Sequence, residues 1–346
     1  MKEFGSDFHY IIPQGGGGYT LHDIFPYANY YADGRQALIH LYRTQGWKRL
    51  WVPEYFCYEV IITLRKAGLE LCFYADYPGN VHDCKTLEAM QENGCFKEND
   101  AILRVNYFGI RSYRPVDKLN VPVVEDHTHD LIGNWATNSQ ADWCIASLRK
   151  SLPVPEGGLL WSPIGLQLPE APEPVEENER IAAARWESMR LKTRYLKGDN
   201  VEKNAFRVGL LSTEEYFDSA EVCALDCISM KYLSEFNLSS WYNRKKENWS
   251  ILQNINKDGI YVLKPEDRSC MAFSLVMLFD SLAERDRVRQ ELIAQQIYPA
   301  ILWNIPQCVT NEDVFQFSER MLSIHCDGRY SVEDIHGMKL IIESIL

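Results

Sequence analysis

The chain has 346 residues, of which 46% are hydrophobic and 24% charged, and its formal net charge at pH 7 is -12. The length suggests about two domains, and the composition is that of a globular protein. The acidic balance argues against a nucleic-acid partner, which would favour a basic face. The longest apolar run, residues 270–279, is well short of the roughly 18 residues that a membrane helix needs, so we expect no membrane span.

The N-terminus lacks the apolar run of a secretory signal, and the ten cysteines show no disulfide framework and no zinc-like spacing. We therefore expect reduced thiols, no metal site and a cytoplasmic protein.

Helix and strand patterns alternate between residues 34 and 161. Amphipathic helices are predicted at residues 34–46, 58–68 and 86–93. Strands are predicted at residues 49–52, 69–74, 101–108, 121–126, 142–148 and 157–161. This alternation indicates an α/β fold with a mostly parallel sheet flanked by helices.

After an acidic, proline-rich connection, helices are predicted at residues 176–197, 213–235 and 239–255. Strands and helices then alternate again. The last helix, at residues 331–345, begins with Ser331 and Asp334 in the spacing of a helix cap. We predict a large α/β domain over residues 1–254, in which residues 170–254 form a helical bridge. A smaller α+β domain is predicted over residues 255–346.

Four polar clusters follow the predicted strands, at residues 31–38, 52–59, 123–130 and 147–158. In open α/β sheets, ligands bind beyond the carboxyl ends of the strands, so we expect the site there. Asp126 closes a strand, and a partly desolvated carboxylate there needs a cation, a metal or strong hydrogen-bond donors. A helix cap or a local salt bridge is the alternative. His127 and His129 beside it could suggest a metal, but no further ligand is apparent.

Lys150 follows the apolar run 144–148 and stands beside Arg149. A surface lysine is the alternative, but a neighbouring cation and partial burial would lower the pKa of this amine and make it a nucleophile. A lysine and a carboxylate that face one cavity suit pyridoxal 5'-phosphate (PLP), because the lysine forms a Schiff base and the acid pairs with the pyridine nitrogen. Free amides of Gly34 and Arg35 at a helix start could bind the phosphate, and Ser147 could add a hydroxyl.

These clusters, in this order, resemble the DegT/DnrJ/EryC1/StrS family of PLP-dependent sugar aminotransferases. The similar segments are YADGRQALIHLY, WVPEYFCYEVIITLRKAGLELCFYA, VVEDHTHDLIG and ASLRKSLPVPEGGLL, within residues 28–165. The resemblance is weak over residues 170–255, and beyond residue 255 it concerns only the order of strands and helices. It implies the fold type I (aspartate aminotransferase-like) architecture.

The resemblance also implies roles for individual residues. Lys150 would form the Schiff base and move the proton at the substrate carbon, Asp126 would pair with the pyridine nitrogen, and His129 would lie near the ring oxygen. The phosphate would be held by Gly34, Arg35 and Ser147. The residue that stacks on the ring would come from the segment at 53–58, where the usual aromatic position is occupied by Cys57, and the alternatives are Tyr55 and Tyr58.

Three departures from the family pattern concern the substrate. His127 and Thr128 replace two alanines, and their bulk would crowd or reshape the ring pocket. The Asn-Tyr-Arg segment with which a partner subunit reaches the phosphate is not found. Arg329, in a C-terminal segment of different character, could bind a substrate carboxylate, although an arginine of an ordinary turn is the alternative.

The function implied is an aminotransferase that moves an amino group, from glutamate, to a nucleotide-linked keto-sugar, as in nucleotide-sugar metabolism and polysaccharide biosynthesis. The resemblance also implies a homodimer with the active site at the subunit interface. Two alternatives stay open: another PLP reaction on a non-sugar substrate, and a non-catalytic relative that keeps the fold as a binding module. The presence of Lys150 disfavours the dehydratase branch, in which a histidine replaces the lysine.

Overall fold

The computed structural model describes residues 3–13, 17–116, 119–218, 221–307 and 309–346. The strands are β1 (Phe4–Gly5), β2 (Asn29–Tyr31), β3 (Arg49–Pro53), β4 (Glu70–Tyr74), β5 (Asp100–Val105), β6 (Val123–Asp126), β7 (Trp143–Ser147), β8 (Gly158–Trp161), β9 (Ile260–Val262), β10 (Leu275–Phe279), β11 (Ile297–Tyr298) and β12 (Met321–Ile324). The helices are α1 (Leu21–Ile24), α2 (Gly34–Gln45), α3 (Tyr58–Lys66), α4 (Asp83–Glu92), α5 (Asn134–Asn138), α6 (Glu176–Lys197), α7 (Lys203–Ser212), α8 (Cys227–Glu235), α9 (Leu238–Leu252), α10 (Leu282–Ala294), α11 (Glu312–Arg320) and α12 (Val332–Ile345).

The main sheet has seven strands in the order β2-β8-β7-β6-β5-β3-β4. Strands β3 to β7 are parallel to one another, whereas β8 runs antiparallel to both of its neighbours, β7 and β2. Strand β5, which lies between β6 and β3, is buried along its whole length, as expected for a parallel sheet covered on both faces. The predicted mostly parallel sheet flanked by helices is confirmed.

Helix α2 shows how the sequence positions this edge of the sheet. It begins where the side chain of Asp33 accepts a hydrogen bond from the amide of Arg35, and it ends at Gly46, whose φ of 65° suits glycine. Its apolar face, with Leu38 and Leu41, is buried against the sheet. The start of α2 is therefore fixed at the carboxyl end of β2.

A second, three-stranded antiparallel sheet has the order β12-β10-β9, and β1 pairs with β11 in a separate parallel ribbon. Helices α10 and α12 pack on this part of the chain around a core of its own. The predicted cap of the last helix is confirmed, because Ser331 and Asp334 form a capping box. Among the described residues, no helix is both long and apolar enough to span a membrane.

The predicted helix at residues 213–235 is wrong in its first half. Helix α7 ends at Ser212, and α8 begins only at Cys227. Asp226 explains the late start, because its carboxylate caps the amides of Ile228 and Ser229 while its own amide donates to Glu156. The apolar spacing is continuous across this break, so periodicity did not reveal it.

A buried ion cluster joins β5 and β6 on the sheet face opposite the cavity described below. Arg104 of β5 donates to Glu125 of β6 over 3.0 Å and pairs with Asp83 of α4, and its guanidinium lies 4.3 Å from the ring centre of Trp135. All of these groups are almost fully buried. Each charge is therefore tolerated only because its partner is present.

We expect Arg104→Met to destabilise the protein by roughly 3–5 kcal/mol, because the substitution removes the cation that hydrogen-bonds two buried carboxylates. The matched control is Arg287→Met, which removes exposed ion pairs within helix α10 and should cost less than about 1 kcal/mol. Urea denaturation of both variants measures the difference. Equal midpoints would contradict the structural role of the buried cluster.

Candidate active site

The carboxyl ends of three neighbouring strands form the floor of a cavity. Val105 of β5, Asp126 of β6 and Ile145 of β7 are in register across the sheet, and all three line the cavity. Alternate residues of a strand face opposite sides of the sheet, so their neighbours Arg104 and Glu125 face away. The cavity has a volume of about 440 Å³, which suits a small ligand.

Most of the residues that the sequence singles out meet at this cavity. Its lining includes Gly34, Arg35, Cys57, Asp126, His129, Ser147 and Lys150. The remaining three candidates, Tyr55, Tyr58 and Arg329, are not among the described residues that line it. The structure thus brings four separate sequence segments to one site.

Lys150 ends a short turn, Leu148–Lys150, that directly follows β7. The turn is held because the amide of Leu148 donates to the carbonyl of Gly157, at the start of β8. Repulsion by the adjacent Arg149 and burial within the cavity lower the pKa of the Lys150 amine to about 8. A substantial fraction of this amine is therefore neutral near physiological pH.

Asp126 lies at the end of β6, where its carboxylate accepts a hydrogen bond of 2.9 Å from the amide of Thr128. Burial raises the pKa of Asp126 above its ordinary value. In the part of the chain that the structure describes, no cation forms an ion pair with it. A carboxylate in this position is best stabilised by a positively charged ligand in the cavity.

His129 is held as a neutral ring with one defined tautomer. Its Nδ1 accepts a hydrogen bond of 3.2 Å from the amide of Phe108, so the ring proton resides on Nε2. The ring stacks against Phe108 and Trp303 and contacts Phe273. Burial, with the nearby cation of Lys245, lowers the pKa of His129 to about 3. The ring can therefore donate from Nε2 to a ligand oxygen.

The expected crowding of the ring pocket by His127 is not found. His127 follows the pleat of β6 to the opposite face, where its ring lies 3.2 Å from Glu125 and packs against Trp135 and Trp161. Ligand atoms of Glu125, His127 and Cys144 lie within 4.8 Å of one another, but the carboxylate is already occupied by Arg104 and by Ser139, which donates over 2.6 Å.

Thr128 does line the cavity, although its hydroxyl is used within the protein. It accepts a hydrogen bond of 2.9 Å from the amide of Ser147, and its carbonyl accepts one from Ser151. These bonds tie the end of β6 to the end of β7. Thr128 therefore fixes the distance between the strand ends that carry Asp126 and Lys150.

The expectation of two free amides at the start of α2 requires a correction. The amide of Arg35 donates to Asp33 over 2.8 Å, because Asp33 caps the helix. Gly34 forms a close contact instead: a Cβ at this position would lie 3.2 Å from the Cβ of Ser147. The glycine thus lets the start of α2 approach the end of β7 closely, and both residues line the cavity.

Charged side chains surround this corner of the cavity. Arg35 donates to Asp33 over 3.0 Å and to Asp218 over 2.8 Å, so its guanidinium is bound within the protein. Arg149 donates to Glu214 over 2.8 Å and lies 3.6 Å from Asp33. Asp218 and Glu214 were not predicted here, because they lie far along the chain from the strand ends that form the cavity.

The candidates for the ring-stacking residue also need correction. Tyr55 is fully buried and donates to the carbonyl of Leu302, while Tyr58 stacks against Phe73 with ring centres 6.4 Å apart. Of the segment 53–58, Cys57 and Phe56 line the cavity. Phe56 was not predicted, because the family pattern placed the aromatic position at Cys57 and the alternatives considered were Tyr55 and Tyr58.

Arg329 is the turn arginine of the alternative interpretation. Its guanidinium makes two hydrogen bonds of 2.9 Å to Asp327 and donates to the carbonyls of Ser6 and Asp7. It also lies 4.2 Å from the ring centre of Phe8. These contacts occupy its donors, so the expected role in binding a substrate carboxylate is wrong.

Arg329 nevertheless contributes to the site, because it binds the carbonyls of Ser6 and Asp7, which line the cavity. The residues there that sequence analysis missed are Ser6, Asp7, Phe8, Tyr298, Pro299, Ala300, Trp303 and His325. They come from both ends of the chain, and no local pattern marks them.

No protein-family model matches the sequence, and no curated protein matches it. Solved structures match the fold. PseC from Helicobacter pylori, an aminotransferase involved in the biosynthesis of pseudoaminic acid, superposes with a TM-score of 0.65 at 13% identity, and the match covers 99% of each chain.

Two further structures are similar. A DegT DnrJ EryC1 StrS aminotransferase from Brucella abortus gives a TM-score of 0.56 at 14% identity, with 94% of this chain and 87% of that chain covered. NtdA from Bacillus subtilis, solved with bound cofactor PMP, gives a TM-score of 0.57 at 11% identity. That match covers 96% of this chain and 78% of NtdA. The chain therefore has the fold of these aminotransferases, as the resemblance of its motifs implies.

Proposed function

We propose that the protein is a PLP-dependent aminotransferase that acts on a keto-sugar. One observation carries the proposal: the amine of Lys150 and the carboxylate of Asp126 line the same cavity, and Gly34 and Ser147 meet beside them. The fold shared with PseC, and with NtdA in complex with PMP, supports the same cofactor. Glutamate as donor, and a nucleotide-linked acceptor, are the finer parts of the proposal and rest on the family resemblance.

The cavity suits the cofactor chemically. Asp126 is a buried carboxylate with a raised pKa, and the protonated pyridine nitrogen is a cation of suitable size for it. His129 has an Nε2 proton to donate to the ring oxygen. The corner of the cavity that Gly34 and Ser147 both line would receive the phosphate.

When bound, PLP supplies an electron sink for the negative charge that develops on the substrate carbon. The contributions of the chain are binding and proton transfer. Lys150 takes a proton from the substrate carbon of the donor and returns one to the acceptor, for which a pKa near the working pH is an advantage. Asp126 keeps the pyridine nitrogen protonated, and the apolar floor of Val105 and Ile145 holds the ring.

We further propose a cytoplasmic homodimer with two domains per subunit, divided near residue 254. The nine described cysteines are all unpaired, which supports a reducing compartment. Ile62 of α3 and Leu211 of α7 are 51% and 65% exposed, and both helices contact the turn at 214–218. Such exposed aliphatic residues support a subunit interface near the cavity.

Both alternatives from the sequence are still open. Another PLP reaction on a non-sugar substrate would use the same Lys150 and Asp126. A binding module without catalysis loses its main support, because His127 lies outside the cavity.

We expect the purified protein, supplied with PLP, to be yellow and to absorb at about 400–430 nm. Lys150→Ala should lack this band because the covalent anchor is gone. Lys66→Ala, an exposed lysine of α3, is the matched control and should keep it. A wild-type protein that stays colourless with added PLP would refute the proposed function and favour the binding module.

Asp126→Asn should weaken PLP binding by about tenfold to a hundredfold, because the charged partner of the pyridine nitrogen is lost. The same substitution should raise the melting temperature of the cofactor-free protein at neutral pH, since burial disfavours the ionised carboxylate. The control is Asp142→Asn, at the start of β7 and outside the cavity. Absorbance titration and thermal unfolding measure the two effects. A loss of PLP affinity together with a lower melting temperature would indicate a purely structural role.

The reactivity of Lys150 toward an amine reagent should follow its lowered pKa. In cofactor-free protein, acetic anhydride labelling of Lys150, read by mass spectrometry, should rise with pH around a midpoint of about 8, since only the neutral amine reacts. In Arg149→Gln the midpoint should move to higher pH, because Arg149 is the largest cause of the shift. A wild-type midpoint near the ordinary value of about 10.4 would contradict the environment described.

A further inference from the structure

Arg149 lies at the corner of the cavity where α2 begins. Its Nε is 3.6 Å from the Oδ2 of Asp33, and its Nη2 donates to Glu214 over 2.8 Å. The guanidinium plane is also supported by Phe217, whose ring centre is 5.1 Å away. Arg149 lines the cavity together with Gly34 and Ser147. Contacts with Asp33, Glu214 and Phe217 therefore determine the position of the guanidinium.

The Nε–H of Arg149 is buried and makes no hydrogen bond to any described residue. A buried charged donor without a hydrogen bond is unfavourable. Asp33, 3.6 Å away, offers this donor an ion pair but no hydrogen bond, so a ligand acceptor at hydrogen-bond distance would satisfy it. The other two arginines of the cavity are occupied. Arg35 is bound by Asp33 and Asp218, and Arg185 donates to the carbonyls of Pro155 and Leu210.

The start of α2 cannot bind a phosphate dianion unless a cation contributes to the site. Asp33 uses the amide of Arg35 and contributes a negative charge close to Gly34. A phosphate there would be repelled unless a cation offered hydrogen bonds from the same side. The planar fork of an arginine is well suited to phosphate oxygens, and it could bind through Nε and a second nitrogen.

We propose that Arg149 binds the phosphate of the cofactor within its own subunit, with Asp33 holding the guanidinium beside the start of α2. This inference depends on the proposed function. It would also make the missing Asn-Tyr-Arg segment dispensable, because a cation from the same chain would bind the phosphate.

Absorbance titration of cofactor-free protein with PLP, and with pyridoxal that lacks the phosphate, tests this inference. In Arg149→Gln the ratio of the Kd for PLP to the Kd for pyridoxal should rise roughly tenfold or more, because the changed pKa of Lys150 affects both compounds and only PLP carries the phosphate. Arg43→Gln, on the exposed end of α2, is the matched control and should bind both compounds as the wild type does. An unchanged ratio of the two Kd values in Arg149→Gln would overturn the inference.

A second measurement needs no variant and so does not depend on the folding of Arg149→Gln. Phenylglyoxal modification of the wild-type protein, read by mass spectrometry, should be slowed at Arg149 by bound PLP and not by pyridoxal. Equal modification of Arg149 with both compounds would overturn the inference. A wild-type protein that binds neither compound would instead refute the proposed function, so the two failures are distinguishable.

Discussion

The position of Asp126 depends on the ion pairs that Arg104 makes across β5 and β6. Glu125 and Asp126 are neighbours on one strand, and the pleat turns them to opposite faces of the sheet. On the far face, Arg104 binds Glu125 and Asp83. A slip of β6 by one residue would bring Asp126 to the arginine and leave Glu125 in the cavity. Because that slip would break a buried ion pair, the cluster with Arg104 fixes the register of the strand end.

The same pleat determines what surrounds the carboxylate. Val105 and Ile145 flank Asp126 in register, so an apolar floor lies on both sides of the charge. This floor accounts for the raised pKa of Asp126, because it provides neither donors nor a cation. It would also hold an aromatic ring by ordinary apolar contact. The register of β6 thus places a carboxylate that a cationic ligand would stabilise beside an apolar surface on which a flat ligand can lie.

How much of this could be predicted depends on where the partners of each residue are in the sequence. The proximity of Lys150 and Asp126 could be predicted, because the carboxyl ends of parallel strands meet at one edge of the sheet. The position of His127 could also be predicted, because alternate residues along β6 face opposite sides of the sheet and Asp126 faces the cavity. Tyr55 and Arg329 could not be assigned from the sequence. Their partners, Leu302 and the residues near Ser6, are about 250 and 320 positions away.

Asp33 changes how an anion can be held at the start of α2. A serine or threonine cap would leave the partial positive charge of the helix end available to a ligand, but an aspartate neutralises part of it. The carboxylate also binds Arg35 and lies close to Arg149, so it organises both guanidinium groups before any ligand arrives. Affinity for a phosphate then depends on arginine hydrogen bonds more than on the helix dipole. Since the side chain of Arg149 is only 13% exposed, its bonds to a phosphate would be screened by salt less than those of an exposed pair.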